Sequence, residues 1–189
     1  NVFKNKPNPN INDFKDVSQI CYLSNNSHEE GLLLHSHEDC LQSKENFAEN
    51  FKIIETESNK INAKKIIQAI NNQFLIVNPP AALMTSSELD AVYDLPFTRL
   101  PHPSYSKRGE IPAFTMINCS VNIHRGCFGG CSFCSISMHQ GKFITNRSEK
   151  SILKEVEKIS KMPYFKGFIT DLGGPSANMY RMQGIQTDI

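Results

Sequence analysis

Three cysteines lie close together in the segment RGCFGGCSFC, at positions 127, 131 and 134. Cys127, Cys131 and Cys134 follow a C-x3-C-x2-C spacing, and they make up half of the six cysteines in the chain. Secreted disulfide-bonded domains spread their cysteines along a short chain, whereas cysteines crowded into one loop are typical of metal sites. The spacing therefore predicts a metal or cofactor site in a protein from a reducing compartment, and we expect a cytoplasmic location.

Three thiolates are compatible with three kinds of metal site. A structural zinc ion takes four ligands, so it would need His124, His139 or Cys119 in addition to the loop. An iron–sulfur cluster for electron transfer is also normally closed by four cysteines, and Cys119 is the only further candidate nearby. With three cysteines, one iron of a cubane cluster stays open and can bind a substrate or cosubstrate.

The elements around the loop predict how it is positioned. Residues Phe114–Ile123 favour a strand, a helix is expected from the N-cap Ser148 to Pro163, and Phe165–Leu172 favour a second strand that ends at Gly173 and Gly174. A strand, helix and strand in this order form a parallel βαβ unit. Ligands of α/β folds bind at the carboxyl ends of parallel strands, so the cysteine loop and the two glycines should face one ligand.

The amino-terminal half predicts a separate region. Residues 1–46 are interpreted as mostly loop, residues 61–72 as a helix, and Phe74–Val77 as a buried strand. Five prolines and glycines between residues 94 and 113 argue against any regular element there. We expect an amino-terminal accessory region over residues 1–110 and a second domain over residues 111–189.

Composition and charge exclude several classes of protein. The formal net charge is +1, which leaves no basic footprint for nucleic acid or a membrane surface, and no apolar run is long enough to span a bilayer. The segment HSHEDC, with His35, His37 and Cys40, could suggest a second metal site, but a polar exposed turn is the preferred interpretation. The chain lacks an initial Met and ends without a closing element, so we expect a fragment of a longer protein.

The three-cysteine spacing, with an aromatic residue just before the last cysteine, resembles the signature of the radical S-adenosylmethionine (SAM) superfamily. The segments IPAFTMINCSVNIHRGCFGGCSFCSISMHQGKFITNRS, FKGFITDLGGPSANMY and ELDAVYDLPFTRLPHPSY resemble the YgiQ-like subgroup of that superfamily, as does ETESNK. The resemblance covers the chain from about residue 30 onward. It implies an α/β fold: the truncated start of a partial (β/α)6 TIM-like barrel, preceded by an α/β accessory region.

The resemblance also implies an enzyme and its cofactors. Cys127, Cys131 and Cys134 match the ligands of a [4Fe-4S] cluster, whose fourth iron binds SAM and whose electron cleaves it to methionine and a 5′-deoxyadenosyl radical. Phe133 matches the position whose backbone lies near the adenine. Gly173 and Gly174 match the two glycines of a family motif that contacts the SAM amino group. The third position of that motif is an acid in the family and Pro175 in this chain. Asp171 is close in sequence but is not aligned with that acid. An electron donor such as flavodoxin or ferredoxin is implied; the substrate is not.

Overall fold

The computed structural model describes residues 8, 10–26, 30–174 and 177–183. These residues form two compact units, one that extends to Ala82 and one that begins at Leu83. The domain boundary that the sequence predicts near residue 110 stays a prediction. Within the described ranges, no helix combines the length and apolar character that a membrane crossing requires.

The first unit is built on a four-stranded sheet with the order β1-β4-β3-β2. Strand β4 pairs antiparallel with β1 and β3, and β2 adds to β3 in parallel. Tyr22, Ile67 and Ile76 form its buried centre. The strands are β1 (Cys21–Ser24), β2 (Leu32–Leu33), β3 (Ile66–Ile70) and β4 (Gln73–Val77).

The helix predicted over residues 61–72 is wrong, whereas the strand predicted over Phe74–Val77 is confirmed. Ile66–Ile70 form strand β3, which turns directly into β4 through Asn71 and the residue after it. Asn71 has a φ of 52°, in the left-handed region that asparagine tolerates and two-residue hairpins require. The asparagine pair at the end of the segment predicted to be a helix is therefore a hairpin turn between β3 and β4.

Residues 1–46 were expected to be mostly loop, but one helix lies within this segment and a second begins at its end. They are α1 (His37–Gln42) and α2 (Lys44–Ser58), capped at their amino ends by the side chains of Ser36 and Ser43. HSHEDC is thus the start of a helix and not an exposed turn. Asn50 of α2, which is 4% exposed, donates from its amide to the carbonyl of His35 at 3.0 Å and to Cys40 Sγ at 3.0 Å. These contacts give the segment a packing role.

The second unit contains the predicted parallel strand pair. Strands β5 and β8 pair in parallel, while β6 and β7 form an antiparallel ribbon. The buried core joins β5 to the long helix α6 through Cys119, Val121, Ile123, Ile152 and Ile159. The elements are α3 (Ser86–Tyr93), α4 (Pro112–Ile117), β5 (Ser120–Asn122), β6 (His124–Arg125), α5 (Ile136–Gln140), β7 (Thr145–Asn146), α6 (Glu149–Ser160) and β8 (Asp171–Gly173).

The predicted helix after Ser148 is confirmed, and the serine hydroxyl accepts from the Ser151 N–H at 3.1 Å as an N-cap. Both predicted strands are shorter than expected. Residues Pro112–Ile117 form helix α4, because a proline in the first turn has the φ that a helix needs and lacks only an N–H that would be unpaired. This helix also begins inside the segment expected to lack regular elements. The mixed α/β class is observed, but the described residues contain no closed barrel.

Candidate functional site

The cysteine loop projects from the end of a two-stranded ribbon. His124 pairs with Asn146 and Arg125 with Thr145, so residues 126–144 leave and re-enter the fold at one place. The Cys127 N–H donates to the Gly141 carbonyl at 3.0 Å and closes the base of the loop. Because β6 follows β5 after a single residue, the loop continues from the carboxyl end of β5.

Gly126 lets the chain enter the loop. Its φ is +92°, and a Cβ added there would lie 1.9 Å from the carbonyl oxygen of Phe143. No L-residue with a side chain can occupy this position without moving the backbone at Phe143. The glycine therefore brings Cys127 to the point where the ribbon opens.

Two of the three cysteine sulfur atoms lie next to Gly129. A Cβ added at Gly129 would lie 3.3 Å from Cys127 Sγ and 3.7 Å from Cys131 Sγ. Cys127 is buried, Cys131 is exposed, and Cys134 follows in the next turn with its N–H donating to the Cys131 carbonyl at 3.0 Å. Cysteine sulfurs held close to a glycine backbone have the donor chemistry that a metal cluster needs. The described residues nevertheless contain no gathered group of three or more His, Cys, Asp or Glu side chains that could hold a metal ion.

Gly173 and Gly174 lie at the same end of the sheet as the cysteine loop. Asn122 pairs with Gly173, and the Ile123 N–H donates to the Gly173 carbonyl at 2.9 Å. Asp171, whose carboxylate lies 3.4 Å from where a Gly173 Cβ would be, is exposed beside this turn. Pro175 lies outside the described residues, so the effect of the missing acid stays a prediction.

His124 lies beneath Gly174, the residue that follows strand β8. The histidine is 1% exposed, and its Nε2 accepts a hydrogen bond from the Met179 N–H at 3.0 Å. Burial lowers the pKa of His124, and the backbone groups of Ala177 and Arg125 offset this only in part. The ring is therefore neutral at physiological pH.

The other predicted candidates are spread out. Cys119 is 4% exposed and packs in the hydrophobic core ahead of β5, whereas the cysteine loop follows β6. His139 is exposed in the last turn of α5. Phe133 is 91% exposed between Cys131 and Cys134, which leaves its ring free to cover a ligand.

A buried charge network, absent from the sequence predictions, supports the ribbon from the side of α6. Glu155 of α6 forms ion pairs with both Arg147 and Arg99. The side chain of Arg147 is 1% exposed and that of Glu155 is 12% exposed, so water screens this cluster little. The signal in the sequence was a charged residue at an inward-facing helix position, since Glu155 falls beside Ile152 and Ile159.

Arg147 uses its guanidinium to tie several elements together. It donates to the Asn122 carbonyl at 2.8 Å and to the Ser151 carbonyl at 3.1 Å, and it stacks 3.9 Å from the centre of the Tyr93 ring. Planar guanidinium groups suit this combination of hydrogen bonds and stacking. Strand β5, helix α6 and helix α3 therefore meet at one side chain directly after β7.

Comparison with known proteins places the chain in a family. Residues 3–120 match the family model described as Radical SAM N-terminal. The chain belongs to this radical SAM family. It is 60% identical over 153 residues to a UPF0313 protein of Bacteroides thetaiotaomicron, covering 81% of this chain and 24% of that protein. It is 50% identical to a UPF0313 protein of Porphyromonas gingivalis, covering 95% of this chain and 29% of that protein.

The chain spans about a quarter of the length of the curated relatives it matches. The family model ends at residue 120, before the first loop cysteine. The alignment with the Porphyromonas gingivalis protein, which covers 95% of the chain, includes the three loop cysteines, because they lie more than 50 residues from either end. No solved structure matches the chain.

Proposed function

We propose that this chain is part of a radical SAM enzyme in which Cys127, Cys131 and Cys134 hold a [4Fe-4S] cluster and the turn at Gly173 and Gly174 helps to seat SAM. One observation carries the proposal. The cysteine loop and the glycine turn leave the same end of two directly paired parallel strands. This is where α/β proteins bind their ligands, and membership of a radical SAM family supports the same chemistry.

Each group of the chain has a separate task in this proposal. The three thiolates supply the protein ligands and leave one iron free for SAM. Backbone groups at Gly173 and Gly174 bind the methionyl part of SAM. The backbone of Phe133 lies near the adenine, and its exposed ring keeps water out. When bound, the cluster supplies one electron that breaks the sulfur–C5′ bond of SAM, giving methionine and a 5′-deoxyadenosyl radical.

The proposed reaction needs an electron donor. A one-electron protein donor of the flavodoxin or ferredoxin type suits a reducing compartment, and we therefore propose a cytoplasmic enzyme. Hydrogen would be abstracted from a substrate that the residues of this chain do not identify. The remaining three quarters of the relatives' length provides room for a substrate pocket.

Anaerobic reconstitution of the full-length protein with iron and sulfide tests the proposal. The electron paramagnetic resonance spectrum of the reduced cluster is recorded with and without SAM, and 5′-deoxyadenosine is measured by chromatography. We expect a [4Fe-4S]+ signal that changes on addition of SAM. Cys131→Ala should abolish the cluster, whereas the matched control Cys21→Ala, an exposed cysteine outside the loop, should keep it.

The other outcomes separate the rival functions. A cluster signal that does not respond to SAM would indicate electron transfer. Bound zinc without a cluster would indicate a structural zinc module. Either result would contradict the proposed enzyme.

A further inference from the structure

We infer that His124 is a positioning residue that fixes the Gly173–Gly174 turn against the base of the cysteine loop, and so sets the geometry in which SAM is bound. The inference rests on the proposed function for the identity of the ligand. Its structural part, that one imidazole holds the turn, rests on contacts alone. Those contacts involve His124, Gly174 and Met179.

The first contact is the close approach of the turn to the ring. A Cβ added at Gly174 would lie 2.1 Å from His124 Nε2 and 2.2 Å from its Cε1. Real Cβ atoms never come this near to another heavy atom, so the backbone of the turn lies directly on the imidazole. The absence of a side chain at residue 174 is therefore needed for packing on His124.

The second contact fixes the segment that follows the turn. The Met179 N–H donates to His124 Nε2 at 3.0 Å, and Met179 is 9% exposed. The methyl carbon of Met179 would lie 3.9 Å from a Cβ at Gly129, the residue that lies next to two of the cysteine sulfurs. One residue thus connects the histidine to the cysteine loop.

The hydrogen bond also fixes the tautomer of the ring. Nε2 accepts from a backbone N–H, so it carries no proton, and the proton of the neutral imidazole is on Nδ1. Burial, which lowers the pKa of His124, keeps the ring in this neutral form. A protonated ring would lose its acceptor and release the Met179 N–H, so the neutral state is the one that holds the turn.

A purely space-filling histidine would behave differently from a positioning one. His124→Leu fills a similar volume with an apolar side chain but removes the Nε2 acceptor. His124→Gln places an amide oxygen near the position of Nε2 and can still accept from the Met179 N–H. If only volume matters the two variants should be alike, whereas if the hydrogen bond matters only the leucine variant should fail.

The experiment uses the reconstituted full-length protein with these two variants and the control His139→Leu, which replaces an exposed histidine of α5. Three quantities are measured: iron content, the dissociation constant of SAM by equilibrium dialysis, and hydrogen exchange of the Met179 amide. We expect equal iron in all four proteins. His124→Leu should weaken SAM binding about tenfold and speed exchange at Met179, because one buried hydrogen bond and the order it gives are lost. His124→Gln and the control should stay within about threefold of the parent.

A second pair of variants tests the packing contact. Gly174→Ala should weaken SAM binding in the same way, since its methyl group would meet the ring. Adding His124→Ala to Gly174→Ala should recover part of the lost SAM affinity, because it removes the ring that the new methyl group would meet. The effects of the two substitutions on SAM binding should therefore not be additive. Additive effects would contradict the contact.

The outcomes distinguish this inference from the proposed function. If the parent protein binds SAM and His124→Leu binds it equally well, the positioning role is wrong and the proposed function stands. If the parent protein does not bind SAM, the proposed function is wrong and the ligand part of the inference falls with it. In that case unchanged Met179 exchange in His124→Leu would overturn the structural part as well, and faster exchange would support it.

Discussion

Replacement of Glu155 by glutamine tests whether the buried charge network stabilises the unit that carries the candidate site. The substitution keeps the side-chain volume but removes the carboxylate that forms ion pairs with both Arg147 and Arg99. Both arginines then lose this ion-pair partner. Arg147 is the more affected of the two, because its side chain is only 1% exposed.

The expected magnitude follows from burial. Removing one partner of a buried ion pair costs about 3–5 kcal/mol, because the remaining charge is left unpaired in a low dielectric. The Arg99 side chain is 22% exposed and Arg147 keeps its hydrogen bonds to backbone carbonyls, so the lower end of this range applies. We expect a loss of about 3 kcal/mol in the free energy of unfolding of this unit.

Hydrogen exchange of the amides in α6 measures this loss locally. A decrease of about 3 kcal/mol corresponds to exchange that is about 100-fold faster for amides that open with the unit. The matched control is Glu157→Gln on the same helix, which removes an exposed ion pair with Lys161 and should leave exchange unchanged. Equal effects of the two substitutions, or no effect of Glu155→Gln, would refute the reasoning.

Three further predictions concern single positions. Gly126→Ala should reduce iron incorporation strongly, since its Cβ would meet the backbone oxygen of Phe143, whereas Gly141→Ala, at a similar φ of +88° but with open space around it, should retain iron. Ser148→Ala should destabilise α6 by about 1 kcal/mol in chemical denaturation, because it removes the N-cap. Burial alone would raise the pKa of Glu57, but hydrogen bonds from the Lys60 ammonium and the Lys64 N–H lower it below its usual range. The first unit should therefore lose stability as the pH falls below about 4.3, and Glu57→Gln should flatten this dependence in acid titrations followed by circular dichroism.

The parts of the site that depend on local sequence could be predicted. The cysteine spacing lies within eight residues, and Ser148 with the apolar stripe of α6 specifies that helix without reference to the rest of the fold. The parallel pairing of β5 with β8 also followed, because a strand, a helix and a strand allow few arrangements. These features are set by short-range patterns that a single sequence contains.

The remaining features depend on contacts between distant residues. Ile66, Ile67 and Ile70 fit one face of a helix as well as they fit a strand, and pairing with β4 decides between the two. Arg99 lies 56 residues before the carboxylate it pairs with, so neither partner signals the other in the sequence. From the sequence His124 is a candidate for a fourth zinc ligand, and its contact with Gly174 becomes visible when β5 and β8 are adjacent.

The contacts of residues 179–181 explain how the chain can prepare a site whose cysteine loop is itself exposed. Besides the bond from Met179 to His124, the Tyr180 hydroxyl donates to the Arg147 carbonyl at 2.9 Å and the Arg181 N–H to the side chain of Asn146 at 2.8 Å. These three bonds reach β6, β7 and the residue after β7, so the segment after the glycine turn is fastened to both sides of the ribbon. The base of the loop is therefore fixed by contacts within the protein, whereas Cys131 lies exposed in the loop. Metal binding commonly orders the segment that supplies its ligands, and we expect a bound cluster to draw Cys134 in beside the other two sulfurs on a base that is already in place.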